Sequence, residues 1–400
     1  MKRRDLKILW SSNFVISNSG YARFTDDISQ RAIKDGWNWR NIAWAGLAGG
    51  CIEHKGIFTY PQLDSAWGDD ALFHHGNHFQ ANIRITMQDV HTLNPQWLAQ
   101  MPNWIPYTPI DRDEIPQAIL DNLRYANRII TFSKFGQKTL EKYGFASLLI
   151  PEGVDTSVFK PLDKKATRKE LGFPEDKFIV GQIGANKPDG ISRKSWQQSL
   201  DAFKLFSDKH PDAMFFFETN QGGGFDIEGY ARHLGISDKM ISVNSYMAIV
   251  HGSAEIMNKW LNALDMLVHP SSTEGFGLVI TEAQSAGVPV IVNNCHSQPE
   301  LVIEGKTGEI TNHLTKIWTQ GGGYIYIPDS QSIYDKMETL YKRIKEDQVK
   351  ISTSCRAWIK ANYDIDTIYE KQWKPFFERL QDEILPMNQL GDKQATELKG

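Results

Sequence analysis

Two glutamates with seven residues between them stand on either side of a glycine-rich turn. Glu274 comes directly before the turn Gly-Phe-Gly-Leu, and Glu282 follows it. A carboxylate repels phosphate, but it accepts hydrogen bonds from sugar hydroxyls, and each such charged bond contributes roughly 1.5–3 kcal/mol. Since the free amides of the turn can hold an anion, the pattern predicts a diphosphate site with a hydroxylated ring on each side. The alternative interpretation is a helix start that carries two solvated acids.

The elements around this turn are predicted in the order strand, loop, helix and strand. The apolar run from Leu264 to His269 indicates a buried parallel strand. The helix is predicted from Val279 to Ala286, where a glycine and a proline end it, and Val290 to Val292 form the next buried strand. In doubly wound sheets, ligands bind where strand ends meet helix starts. This helix start is therefore predicted to lie in a binding crevice.

Three runs of this region resemble a known family signature: E-G-F-G-L-V-I-T-E-A, S-A-G-V-P-V-I and P-E-L-V. They are similar to the signature of retaining GT-B glycosyltransferases of the large group 1 family, which are GT4-like. The resemblance implies that Glu274 contacts the transferred sugar and that Glu282 holds the ribose of the nucleotide. It also implies that the donor lies against the backbone of four turn residues, namely Gly275, Phe276, Gly277 and Leu278.

The fold that this resemblance implies is an α/β GT-B fold. It has two Rossmann-like doubly wound domains that face a cleft, and a C-terminal helix that crosses back to the N-terminal domain. The predicted parts are the acceptor domain at 1–160, the nucleotide-sugar donor domain at 161–364, the crossover helix at 365–383 and a polar tail at 384–400. A charged stretch at 160–176 is predicted to be an irregular domain boundary.

A basic pair precedes the second predicted helix of the donor domain. Arg193 and Lys194 oppose the positive end of the helix dipole, which is unfavourable unless an anion binds there. The resemblance implies that such a pair neutralises the donor diphosphate. Lys194 is the first choice for the main contact, although Asn186 and Lys187 stand nearby where an arginine is usual. A solvated basic loop is the alternative.

Further candidate residues follow other predicted strands. Gly20 lies in a strand-to-helix loop where a donor phosphate can approach the backbone, and an ordinary turn is the alternative. The resemblance implies that two residues join the cations and Glu274 in catalysis, namely Asp89 and His91, and that three face the acceptor, namely Tyr21, Asp111 and Glu152. Asn244 is predicted to border the nucleobase. For the loop residues the alternative is a polar side chain satisfied by its own surroundings.

Composition excludes several classes of protein. The 400 residues are enough for two domains, and a net charge of −4 argues against a strong electrostatic grip on nucleic acid or anionic lipid. Three cysteines far apart in sequence indicate neither a disulfide framework nor a metal site, and no metal or cofactor is predicted. No stretch of 18 apolar residues and no hydrophobic signal core are found, so a cytoplasmic protein is predicted.

The predicted function is metal-independent transfer of a hexose-type sugar from a nucleotide-diphosphate sugar to an acceptor hydroxyl, with retention of configuration. UDP- and GDP-sugars are the expected donors. Alternatives of the same fold are a nucleotide-sugar epimerase, a phosphorylase and an enzyme that glycosylates a modified base in nucleic acid. A non-catalytic nucleotide-sugar binding protein is the alternative from another class.

Overall fold

The computed structural model of the chain describes residues 4–187, 192–219, 224–243 and 253–397, with side chains as far as residue 385. Within these residues the chain forms an eight-stranded sheet, a six-stranded sheet and a two-stranded hairpin, with helices between the strands. The predicted α/β class with two doubly wound sheets is confirmed. No helix of the described part is both long enough and apolar enough to cross a bilayer.

The first sheet is built from residues 7–149. Its strands are β1 (Lys7–Asn13), β2 (Asn38–Ala45), β3 (Ile52–His54), β4 (Ile57–Tyr60), β5 (Ile83–Met87), β6 (Trp104–Thr108), β7 (Ile130–Thr131) and β8 (Leu148–Leu149). The intervening helices are α1 (Gly20–Lys34), α2 (Asp69–Phe79), α3 (Pro95–Leu98), α4 (Gln117–Leu123) and α5 (Lys134–Lys142). The order is β3-β4-β2-β1-β5-β6-β7-β8, and all pairs except β3–β4 are parallel. The strand order therefore reverses between β1 and β5.

The second sheet is built from residues 178–311. It contains β9 (Phe178–Ile183), β10 (Ala213–Glu218), β11 (Met240–Ser242), β12 (Met266–His269), β13 (Val290–Asn293) and β14 (Gly308–Thr311). The helices of this half are α6 (Lys164–Leu171), α7 (Trp196–Lys209), α8 (Ile227–Leu234), α9 (Ala254–Ala263) and α10 (Leu278–Ser285). The parallel order β11-β10-β9-β12-β13-β14 reverses between β9 and β12, which is the switch point where doubly wound sheets bind ligands.

The hydrophobic patterns explain these elements. Every residue of β9, β12 and β13 is buried, since helices cover both faces of the sheet, and these strands accordingly lack polar alternation. In α1, Phe24 and Ile28 are buried at helical spacing, and the side chain of Ser19 caps the helix by accepting a hydrogen bond from the Ala22 N–H.

An antiparallel hairpin connects the two halves beside the crevice. Its strands are β15 (His313–Trp318) and β16 (Tyr324–Pro328). Arg112 of the first half donates from Nη1 to Oγ1 of Thr319 at 2.8 Å and to the carbonyl oxygen of Gly322 at 2.6 Å. The Tyr326 hydroxyl donates to Oδ2 of Asp113 at 2.5 Å. The hairpin therefore spans from the second half to the loop after β6.

The C-terminal segment returns to the first sheet. It consists of α11 (Ser330–Asn362), α12 (Ile365–Ile368), a π-helical turn (Tyr369–Trp373) and α13 (Lys374–Glu397). The backbone of α11 leaves helical geometry at Asp347. The fully buried ring of Trp373 packs 5.6 Å from that of Trp10 in β1 and 5.1 Å from that of Tyr107 in β6. The predicted crossover helix is thus anchored in the core of the first half.

Three local predictions were wrong. The stretch 160–176 is not irregular: it contains α6, because Asp163 caps the helix start and the buried Arg168 is fixed by Asp265. The first strand of the hairpin was missed, since all six of its residues are exposed and show no alternation. The last helix runs on to Glu397, beyond the predicted end of the crossover helix at residue 383, and it still buries Ile384.

We expect Trp373→Ala to destabilise the protein by about 3–5 kcal/mol, because the substitution removes a fully buried indole from the first core. Urea unfolding followed by circular dichroism measures the loss. Trp318→Ala is the matched control: that indole is 57% exposed, and its removal should change the stability by less than about 0.5 kcal/mol. Equal losses in the two variants would contradict the packing described for the crossover segment.

Candidate active site

The predicted site residues lie where the two sheets face each other. The loops after β1 and β5 in the first sheet and after β9 and β12 in the second all start at carboxyl ends beside a switch point. Gly20, the first residue of α1, packs against α10, so that a Cβ added to it would lie 3.4 Å from Cδ2 of Leu278. A Cβ on Gly275 would lie 2.3 Å from the Cβ of Pro109, which only glycine avoids. The two halves therefore meet closely at this turn.

Glu274 is the centre of a buried charge cluster. Lys194 Nζ pairs with its Oε1, Arg193 Nη1 lies 3.4 Å from its Oε2, and His269 Nε2 lies 2.9 Å from its Oε1. Burial alone would raise the pKa of Glu274, but Lys194 and Arg193 outweigh it and hold this pKa well below its usual range. Glu274 is therefore an ionised acceptor at neutral pH.

The basic pair is held in place through its backbone. The N–H of Ser272 donates to the carbonyl oxygen of Arg193 at 2.9 Å, and Nε2 of Gln182 donates to that of Lys194 at 2.7 Å. Burial lowers the pKa of Lys194 to about 8, although Glu274 opposes this shift. Both cations precede α7, as predicted, and both lie within reach of the turn.

His269 is a site residue that the sequence interpretation missed. It ends β12, is 1% exposed and lies 3.4 Å from Lys194 Nζ through its Nε2. Burial and the nearby Lys194 lower its pKa, so the imidazole is neutral at pH 7. The signal was a polar residue at the end of an otherwise apolar strand, just before the glycine turn.

The turn before α10 presents backbone without a capping side chain. Gly277 has a φ of +109°, which favours glycine, and no side chain among the described residues caps the helix start. The hydroxyl of Ser297 lies 2.8 Å from the carbonyl oxygens of both Glu274 and Phe276. It is the hydrogen-bond donor to these carbonyl groups and so fixes the loop. The helix start, with its partial positive charge, is thereby aimed at the cleft between the halves.

Glu282 lies one turn into α10 and is 1% exposed. Arg23 of α1 holds it through two hydrogen bonds, from Nε to Oε1 at 2.8 Å and from Nη2 to Oε2 at 3.2 Å. Sequence interpretation missed this arginine, because only the fold brings the start of α1 to α10. Glu282 thus has an ionic partner from the other half of the chain.

A cavity of about 650 Å³ lies beside Arg23 and Glu282. Leu278 and Ser253 also line it, together with Asp155 from the segment after β8. Its volume is in the range of pockets that hold cofactor-sized ligands. Glu282 therefore lines a space that is large enough for a small organic ligand.

The residues predicted to face the acceptor surround Tyr21. Burial raises the pKa of Tyr21 well above its usual range. Three nearby carboxylates add to this rise, namely Asp89, Glu152 and Asp111. The side chain of Asp89 is exposed in the cleft. Even so, desolvation by the surrounding protein and repulsion by Asp111 raise the pKa of Asp89, while His91 and Arg193 oppose the rise. The structure therefore brings together the catalytic and acceptor residues named from the sequence.

One predicted site residue, Asn244, lies outside the described residues. In the described part of the chain, no group of three or more histidine, cysteine, aspartate or glutamate side chains is arranged to hold a metal ion. His75, from the histidine-rich α2, instead packs on Tyr60 and lies 3.1 Å from the carbonyl oxygen of Pro61 through its Nε2.

Comparison with known proteins relates part of the chain to a family. Residues 163–313 match the family model described as glycosyl transferases group 1. Over this segment the chain is similar to the group 1 glycosyltransferases. The predicted resemblance is confirmed, and the matched segment contains Arg193, Lys194, Glu274 and Glu282.

Two curated relatives are similar over less than half of this chain. A D-inositol 3-phosphate glycosyltransferase from Mycobacteroides abscessus is 27% identical over 185 residues, which are 45% of this chain and 39% of the relative. Another from Streptomyces avermitilis is 30% identical over 165 residues, which are 40% of this chain and 34% of the relative. These matches thus span less than half the length of either relative.

Solved structures are similar over nearly the whole length of this chain. Sucrose-phosphate synthase from Thermosynechococcus elongatus superposes with a TM-score of 0.74 and 16% identity, covering 94% of this chain and all of the other. HepE from Anabaena, solved with UDP and glucose, has a TM-score of 0.69 and 16% identity, covering 93% and 99%. The predicted GT-B fold is confirmed.

We expect Glu274→Gln to lower the stability by about 1–3 kcal/mol at pH 7, since Lys194 loses its buried partner. The pKa of Glu274 is depressed in the folded protein, so its contribution is complete above its usual value of 4.5. The contribution is lost as the pH falls through the lower folded-state pKa. The difference between wild type and variant should therefore narrow below pH 4.5, as measured by thermal unfolding across pH.

The matched control is Glu304→Gln, because Glu304 pairs with Lys336 at the surface. An exposed pair contributes little, so this variant should differ from wild type by less than about 1 kcal/mol at every pH. A wild-type advantage over Glu274→Gln that stays constant down to pH 3 would contradict the assigned ionisation of Glu274.

Proposed function

We propose that this protein transfers a sugar from a nucleoside-diphosphate sugar to an acceptor hydroxyl, with retention of configuration and without a metal ion. The observation that carries the proposal is the Glu274 cluster. It combines an ionised carboxylate, two cations and an uncapped helix start at the switch point of the second sheet. The UDP and UDP-glucose complexes of HepE, which has the same fold, support a nucleotide-sugar donor, and UDP- and GDP-sugars are the proposed donors.

In the proposed complex, Glu274 accepts hydrogen bonds from hydroxyls of the transferred sugar. The diphosphate lies over Gly277 and Leu278, and Glu282 accepts from the ribose once Arg23 has moved from it. Each acid is 7% exposed or less, so its hydrogen bonds are made away from bulk water, where they are strong. In this arrangement the carboxylates contact the two neutral, hydroxylated rings, and the anionic diphosphate lies between the rings, away from both acids.

The proposed reaction proceeds on the face of the sugar that carries the diphosphate. The bond from the anomeric carbon to the diphosphate oxygen breaks, the acceptor oxygen bonds to the same face, and its proton passes to the departing phosphate. Lys194 and Arg193 stabilise the charge that develops on the leaving group. An opposite charge at ~4 Å contributes about 4 kcal/mol near a protein surface, and half of that in the transition state accelerates the reaction about thirtyfold.

The acceptor is proposed to bind beside Tyr21, on the side of the first sheet. Asp89 and Asp111 lie near this phenol and Arg193, so they can accept hydrogen bonds from the acceptor hydroxyl and orient it. His91 adds a second polar group near Asp89. These assignments define an acceptor that presents hydroxyl groups to carboxylates.

A donor screen tests the proposed function. UDP-, GDP-, ADP- and TDP-sugars are incubated with the protein, and slow hydrolysis and thermal stabilisation are measured with and without EDTA. We expect one nucleotide class to raise the melting temperature, because ligand binding to the folded state stabilises it. We also expect turnover to persist in EDTA. Conversion of the donor sugar into its epimer without hydrolysis would instead indicate an epimerase, and a strict need for divalent cations would contradict the metal-free mechanism.

Two substitutions should separate binding from chemistry. Glu282→Ala should raise the donor KM by ~10–100-fold with a smaller change in kcat, because it removes charged hydrogen bonds to the ribose.

Lys194→Ala should mainly lower kcat, by about tenfold to a hundredfold, because it removes charge stabilisation in the transition state. Steady-state kinetics with the donor found in the screen gives both parameters. An unchanged KM in the first variant or wild-type turnover in the second would refute the respective role.

A further inference from the structure

Glu152 is a buried carboxyl group that the proposed chemistry does not yet use. It lies after β8 and is 3% exposed. The loop is fixed by its neighbour Gly153, where an added Cβ would lie 2.7 Å from the Cα of Ile365. Oε1 of Glu152 is buried and accepts no hydrogen bond from the described residues. No described cation forms an ion pair with this carboxyl group.

The charges around Glu152 favour its neutral form. Glu274 and Glu282 approach it from the turn and from α10, and both repel an additional negative charge. Arg23 of α1 is the nearby cation, but its guanidinium is already held by both oxygens of Glu282. A buried carboxylate without a partner is strongly disfavoured. Burial first, and then Glu274 and Glu282, raise the pKa of Glu152 to about 8.

The other titratable groups that interact electrostatically with Glu152 are the phenols of Tyr21 and Tyr107. The hydroxyl of Tyr107 in β6 is buried and has no hydrogen-bond partner among the described residues. Burial raises the pKa of Tyr107 well above its usual range, and Glu152 and Tyr21 add to this rise. Both phenols are neutral at physiological pH. The titratable groups that interact with Glu152 are thus two carboxylates, two neutral phenols and one cation that is held by Glu282.

We propose that Glu152 takes part in donor binding as a neutral acid, whose protonated carboxyl group donates a hydrogen bond to the diphosphate. This inference rests on the proposed function, in which the diphosphate lies between the sugar at Glu274 and the ribose at Glu282. Glu152 interacts electrostatically with both of these carboxylates, so the diphosphate between the two rings is its proposed hydrogen-bond acceptor. Its ionised form would repel the diphosphate, so donor binding is coupled to one proton on Glu152.

The test compares wild type with Glu152→Gln, whose amide stays neutral and keeps an N–H donor. Isothermal titration calorimetry measures the Kd of UDP, GDP and ADP between pH 6 and pH 9.5. At pH 7 the two proteins should bind equally well. The ratio of the wild-type Kd to the variant Kd should rise roughly tenfold between pH 7 and pH 9, because the protonated fraction of Glu152 falls by that factor.

The ratio isolates Glu152 from the other groups of the site that titrate in this range. Lys194, with a pKa of about 8, and Asp27, with a pKa of about 7, are present in both proteins, and their effects cancel. Glu228→Gln, at an exposed position of α8, is the control, and its ratio should not change with pH. Glu152→Met removes the donor as well, so it should bind about tenfold more weakly at every pH than Glu152→Gln.

Thermal unfolding without ligand provides a second readout. The pKa of Glu152 is raised in the folded state, so the native protein keeps a proton that the unfolded chain releases. The contribution of Glu152 to the stability of wild type should therefore fall as the pH rises from about 4.5 to about 8 and change no further above that. Glu152→Gln lacks this loss, and its advantage in melting temperature should widen over the same interval.

Each result decides the proposal. A Kd ratio or a melting difference that does not change with pH overturns it, as does loss of nucleotide binding in a folded Glu152→Gln protein at pH 7. If no nucleotide binds wild type at any pH, the proposed function fails and this inference fails with it. Binding that is present but independent of Glu152 ionisation overturns the inference alone.

Discussion

The site depends on the compensation of one buried negative charge by neighbouring cations. Glu274 is in a place where a carboxylate without partners would be protonated, and Lys194 and Arg193 keep it ionised. These three side chains come from the loops that follow β9 and β12, so the strand order of the second sheet brings the cluster together. In the proposed reaction, the same cations stabilise the departing diphosphate while sugar hydroxyls contact Glu274.

Glu274 and Glu152 show how the surroundings of a carboxyl group set its protonation state and hence its role in hydrogen bonding. Glu274 has two cations and a histidine beside it and is ionised, whereas Glu152 has other carboxylates and phenols beside it and stays protonated. One group accepts hydrogen bonds and the other donates. In the proposed complex, the acceptor faces sugar hydroxyls and the donor faces the diphosphate.

The order of residues in the second half made much of the site predictable. The Glu274-to-Glu282 spacing and the basic pair each lie within a short stretch of sequence, so the loop, the helix and their charges followed from local rules. Arg23 and His269 were not predictable in this way. Arg23 reaches Glu282 only because α1 and α10 meet, and His269 has the same appearance as any polar residue at a strand end.

The fold shows the same division between local and tertiary information. Strands such as β9 and β12 were predicted because their residues are uniformly apolar. The helix α6 was missed because its buried face is small and depends on Arg168, which is fixed by Asp265 far along the chain. The exposed strand β15 carries no pattern of burial at all.

The hairpin of β15 and β16 has a mechanical consequence. Its contacts from Arg112 to Thr319 and Gly322, and from Tyr326 to Asp113, tie the two halves together at one rim of the crevice. Across the crevice, Arg23 and Glu282 form a second tie, which is an ion pair. The two ties therefore differ: in the proposed complex a ribose would take the place of Arg23 on Glu282, whereas the hairpin contacts involve no residue proposed to bind the donor and would persist.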